Sequence, residues 1–136
     1  MIGILIVTHG SLADEIMKTC FKIIGERDNV GAYSIQWDDD PTVATRRIEK
    51  LLKKLDQGDG VLVLTDMFGG TPTNIMISLS KNFHVEIVTG VNLPMLIKAV
   101  TTMNTFNDLS EFAEKVKQQG QKNIYKVSDI LSMKRL

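Results

Sequence analysis

Two short apolar runs, residues 2–7 (Ile-Gly-Ile-Leu-Ile-Val) and residues 61–64 (Val-Leu-Val-Leu), constrain this chain more than any other feature in it. Neither alternates with polar residues. Strands without a polar face are buried on both sides, as in parallel sheets held between two helix layers. The first run ends in Thr8-His9-Gly10-Ser11, the second in Thr65-Asp66-Met67-Phe68-Gly69-Gly70-Thr71-Pro72. In both cases a glycine turn follows, and then a helix pattern. Gly3 interrupts the first run, and close packing is the only local reason for it.

The remaining segments fit the same rhythm. Ser11 reads as an N-cap with Asp14 three residues on, a variant of the capping box. Leu12, Ile16 and Cys20, with Ala13, Met17, Phe21 and Ile24 beside them, make a wide apolar stripe that Gly25 stops. Tyr33, Ile35 and Trp37 alternate in a second strand over residues 31–37. Asp40 can cap the next helix with Pro41 at its first position, and Val43, Ala44, Ile48, Leu51, Leu52 and Leu55 face inward. Thr71 can cap a helix that opens at Pro72, and Asn92 one that contains Leu96, Ile97 and Val100. Residues 85–88 read as a fourth strand, residues 109–116 as a helix stopped by Gly120, and residues 124–127 as a late short strand. Strand and helix in alternation imply a doubly wound, mostly parallel α/β sheet with helices on both faces. With the strand order 2-1-3-4, the late strand is read as antiparallel.

A length of 136 residues fits one domain spanning residues 1–136, large enough to bury roughly two-thirds of the surface that the unfolded chain exposes. Sixteen basic residues balance sixteen acidic ones, so no net field draws the chain to nucleic acid or an acidic membrane. Cys20 is the only cysteine and excludes an internal disulfide, which fits a reducing, cytoplasmic setting. No stretch approaches the roughly 18 to 20 apolar residues that a spanning helix needs, and no basic residue precedes the N-terminal run.

Ligands of such sheets sit beyond the carboxyl ends of the strands, where the chain order reverses. In order 2-1-3-4 that point lies between strands one and three, which end at His9 and Asp66. An imidazole is a competent nucleophile toward phosphorus. A carboxylate on one ring N–H fixes the tautomer and frees the other nitrogen. Gly10, Gly69 and Gly70 let backbone amides approach phosphoryl oxygens, and helix starts after Ser11 and Thr71 add partial positive charge. The hydroxyls of Thr8, Ser11 and Thr71 add candidate donors. Neither turn holds Arg or Lys, which suits a phosphate that is passed on rather than gripped. Asp14 and Glu15 oppose anion binding slightly. His84, at the start of a strand, reads as a solvated or core-edge residue, and Cys20 as a buried thiol. Walker, dinucleotide-glycine and nucleophile-elbow patterns are missing, and His9, His84 and Cys20 lack metal-ligand spacing. Neither a metal nor a cofactor is expected.

Three segments in order, ILIVTHGS from Ile4, GVLVLTDMFGGTPTN from Gly60 and GVNLPM from Gly90, resemble the IIA component of the mannose (mannose–fructose–sorbose) family of the bacterial phosphoenolpyruvate:sugar phosphotransferase system. The resemblance runs over nearly the whole chain. It implies that His9 is phosphorylated by HPr and passes the phosphate to a IIB component during sugar uptake, with membrane components IIC and IID acting downstream. Asp66 would orient the imidazole. Thr71 stands where relatives often carry Ser, and Phe68 where some carry Trp. A homodimer is implied as well, with residues 124–127 as a C-terminal strand crossing to the partner's sheet. The short tail after Val127 carries the expectation of no fused IIB domain. Two further readings compete: a phosphorylation-dependent regulatory module, and the related phosphotransferase subunit of dihydroxyacetone kinase. Asp-Met-Phe-Gly-Gly-Thr-Pro favours the mannose type over the latter. A chelatase-like α/β protein would bring further ligating histidines, and only His84 remains.

Overall fold

A computed structural model describes residues 1–134. Its elements are β1 (Gly3–His9), α1 (Leu12–Ile24), β2 (Val30–Ile35), α2 (Pro41–Leu55), β3 (Val61–Thr65), α3 (Thr71–Leu79), β4 (Val85–Val88), α4 (Leu93–Thr102), α5 (Leu109–Lys122) and α6 (Val127–Lys134). The four strands form one parallel sheet in the order β2-β1-β3-β4, as the sequence pattern predicts. β1 is central because its residues are apolar on both faces. Ile4 and Ile6 pack with Leu62 and Leu64 under α1, α4 and α5. Leu5 and Val7 pack with Val61 and Val63 under α2 and α3. Successive strand residues alternate between faces, so one continuous apolar run serves two cores.

Caps set where the helices start. Asp40 accepts from the Thr42 amide at 2.9 Å with Pro41 behind it. Asn92 accepts from the Met95 amide at 3.0 Å and opens α4. Gly25, at φ +86°, ends α1 with its amide on the Phe21 carbonyl. Ser11 occupies the first cap position but makes no capping bond, contrary to expectation. The Thr8 hydroxyl accepts from the Ala13 amide at 2.7 Å instead, and the Ser34 hydroxyl from the Asp14 amide at 3.2 Å. Gly10 turns the chain at φ +57° directly out of β1, which leaves the Thr8 side chain beneath the first turn of α1. Likewise Gly70, not Thr71, holds the cap position of α3, again with no side-chain cap.

Three other expectations change. β2 ends at Ile35, so Trp37 lies outside the sheet. Gly120 does not stop α5, which runs on to Lys122. A side chain at Gly120 would occupy the space of Met95 Cγ and Sδ, and the Gly120 carbonyl accepts from Asn92 Nδ2 at 3.2 Å. Glycine there serves the close approach of α4 to α5, despite the helix propensity it forfeits. Last, residues 124–127 form no strand: residues 124–126 are irregular and α6 begins at Val127. Backbone groups need partners. With no strand alongside, the segment from Val127 closes its hydrogen bonds locally as helix.

Gly3 now has a physical account. A Cβ there would lie 2.5 Å from the Leu55 carbonyl oxygen and 3.0 Å from Leu55 Cβ, at the end of α2. Gly3→Ala is therefore expected to cost about 1–3 kcal/mol, the usual range for overpacking a core. Urea unfolding measures it, and an unchanged midpoint would contradict this reading of the α2–β1 contact.

Candidate functional site

His9 is the last residue of β1, and Asp66 immediately follows β3. The parallel register pairs Val7 with Thr65, so the two chains leave the sheet side by side. Asp66 Oδ2 accepts from the His9 backbone amide at 3.0 Å and lies 2.8 Å from His9 Nδ1. Its other oxygen accepts from the Met67 amide at 3.0 Å. An ionised carboxylate only accepts, so the hydrogen-bond network assigns the proton to Nδ1 and leaves the lone pair on Nε2. The His9 side chain is 25% exposed and that of Asp66 14%. The imidazole is thus anchored from beneath and open on one side.

The loop that carries Asp66 is itself braced from below. Thr73 is buried and donates its hydroxyl proton to the Met67 carbonyl at 2.6 Å. The buried Thr65 hydroxyl lies 2.7 Å from Thr73 Oγ1 and supplies the second bond. The Thr65 carbonyl accepts from the Val91 amide, tying the loop after β4 to the same point. Gly69 takes φ +89°, a conformation that other residues rarely adopt. Gly70 is required by contact: a Cβ there would sit 2.9 Å from His9 Nε2.

Of the residues singled out from the sequence, His9, Asp66, Gly10, Gly69 and Gly70 gather at this end of the sheet. Ser11 and Thr71 start α1 and α3 with exposed side chains and no capping duty. Thr8 departs from expectation. It is fully buried, and its hydroxyl caps α1 and bonds the His9 carbonyl, so it is not available to a phosphate. Two further residues belong to this end of the sheet. Thr73 carries no local sign of its bracing role. Trp37 alternates with Tyr33 and Ile35 as a strand residue would, yet its indole stacks on the His9 ring with centroids 5.8 Å apart and planes 26° apart. The signal for Trp37 was the strand order, which sets the end of β2 beside the end of β1. Met67 (54% exposed) and Trp37 (83%) set apolar side chains near His9, and Phe68 (74%) exposes its ring on the same loop.

His84 lies at the other end of the sheet, against Gly60 and beside the start of β3. Cys20 is buried under the sheet, where burial pushes its thiol above the ordinary range and Arg27 draws it back slightly. Among the described residues, no three His, Cys, Asp or Glu side chains gather to hold a metal, and no helix is long and apolar enough to cross a membrane.

The family model EIIA-man, described as "PTS system fructose IIA component", matches residues 3–117. The chain belongs to this family. It is 33% identical over 126 residues to the mannose-specific EIIAB component of Escherichia coli K12, a match covering 89% of the chain and 39% of that longer protein. It is 27% identical over 139 residues to the fructose-specific EIIA component of Bacillus subtilis, covering 89% of the chain and 95% of the relative. A crystal structure of phosphotransferase system component EIIA from Streptococcus agalactiae matches with a TM-score of 0.88 at 27% identity, covering 95% of this chain and 99% of that one. The His9–Asp66 pair lies in the region that the family model covers.

Thr73→Val keeps the side-chain volume but leaves the Thr65 hydroxyl and the Met67 carbonyl without their bonds. A loss of about 1–3 kcal/mol is expected from two buried polar groups left unpaired. Chemical denaturation tests it, and a variant as stable as the parent would show that the brace is dispensable.

Proposed function

We propose that this chain is a IIA component, a phosphoryl carrier that accepts phosphate on His9 Nε2 from phospho-HPr and hands it to a IIB component during sugar uptake. The observation that carries the proposal is the 2.8 Å contact of Nδ1 with Asp66, which leaves Nε2 as the nucleophile. Attack forms an Nε2–P bond as the donor's own bond to the phosphoryl group breaks, and the donor group departs with that electron pair. Asp66 holds the ring in one tautomer and opposes the positive charge that the ring gains. The first turn of α3 has no side-chain cap and begins at Gly70, beside Nε2. Its amides, with the exposed hydroxyls of Ser11 and Thr71 and the backbone at Gly10, Gly69 and Gly70, are the proposed donors to phosphoryl oxygens. Thr8 takes no part in that set. The lack of Arg and Lys in both turns favours passing phosphate on over retaining it.

The carrier is proposed to work in the cytoplasm as a homodimer. Among the described residues β4 pairs with β3 only, so its outer side is open. A groove of about 510 Å³ runs beside it, with Ile87, Val88 and Ile124 in its lining. Ile124, Tyr125, Val127 and Met133 expose apolar side chains near the C-terminus. A second copy's C-terminal segment is the proposed occupant of that edge.

Incubation with phosphoenolpyruvate, enzyme I and HPr should add one acid-labile phosphate, absent in His9→Ala. Asp66→Asn should slow labelling about 10- to 100-fold, the loss expected for a charge-assisted hydrogen bond. Unchanged labelling of His9→Ala would end the proposal.

A further inference from the structure

We propose that Trp37 stabilises the positive charge that the His9 imidazole acquires when Nε2 takes up a phosphoryl group. The inference rests on the carrier reading above and adds a participant to it. Nδ1 keeps its proton on Asp66 while the Nε2 lone pair becomes the new N–P bond. The ring then carries a substituent on each nitrogen and is cationic, as an imidazolium is. Asp66 opposes that charge from the plane of the ring, at Nδ1. Trp37 meets the ring by stacking, with planes 26° apart and centroids at 5.8 Å, inside the reach of a cation–π contact.

Trp37 is poorly explained as a folding residue. It is the chain's only tryptophan and is 83% exposed, beyond the end of β2. Its turn is nevertheless fixed. The Gln36 amide donates to Asp39 Oδ2 at 2.9 Å, and the Asp39 amide donates back to the Gln36 carbonyl at 3.1 Å. A stapled turn thus holds a large electron-rich ring over the reacting imidazole instead of burying it in either core. The alternative use of an exposed indole is as an anchor for the protein donor, and the choice of donor separates the two.

The test compares wild type, Trp37→Phe and Trp37→Leu with two donors, phosphoramidate and phospho-HPr. Phosphoramidate is small and offers no protein surface; its P–N bond breaks as the Nε2–P bond forms, and ammonia leaves. Trp37→Leu fills space without a π face. It should slow labelling by phosphoramidate about two- to fivefold, the factor expected for an exposed cation–π contact. Trp37→Phe should restore most of the rate, and both variants should melt with the wild type. In the wild type, phosphorylation should quench tryptophan emission through the stack, with no change in His9→Gln. Equal phosphoramidate rates in wild type and Trp37→Leu would overturn the proposal, and so would a defect seen only with phospho-HPr, which would make Trp37 a docking residue. A wild type that takes no label from either donor would overturn the carrier reading and this inference together.

Discussion

Everything at the candidate site depends on the parallel pairing of β1 with β3. Its register, Val7 opposite Thr65, is fixed by apolar side chains that fill both faces of both strands. A slip of one residue would turn every buried side chain to the opposite core. The same register delivers His9 and Asp66 to adjacent positions at the strand ends, 57 residues apart in sequence. Stability of the core and geometry of the site are therefore one constraint. The imidazole is held by a carboxylate that never has to search for it.

Around that pair, small residues and buried hydroxyls do most of the positioning. Gly70 gives Nε2 its clearance, and Gly10 and Gly69 take backbone conformations that a larger residue resists. Thr8 secures α1 from beneath, while Thr65 and Thr73 secure the loop after β3. These hydroxyls face the protein, whereas those of Ser11 and Thr71 are free of capping. The division separates groups that build the site from groups proposed to meet a phosphate.

The central strands β1 and β3 are legible because burial on two faces leaves an unmistakable apolar run, and the helix starts at Asp40 and Asn92 because their capping is local. Ser11 makes no cap because capping depends on where the chain enters the helix. The sharp turn at Gly10 gave that work to Thr8, one strand residue earlier. Gly120 has the look of a helix stop because a close helix crossing leaves no local mark. Trp37 was hidden by alternation with Tyr33 and Ile35, which reads as a longer strand. Only the three-dimensional neighbourhood of β1 and β2 gives it a partner. The strand expected at residues 124–127 concerned pairing with another chain, and within one chain the segment from Val127 turns helical.

In the proposed carrier the Asp66 contact leaves Nε2 of His9 to bear the phosphate. Phosphorus–nitrogen correlation NMR on the phosphoprotein, labelled with ¹⁵N in the histidine rings, identifies it directly. Phosphorus coupled to Nε2 of His9, with Nδ1 still protonated, is the predicted result. Coupling to Nδ1, or a phosphate on any other residue, would contradict the role given to the Asp66 contact.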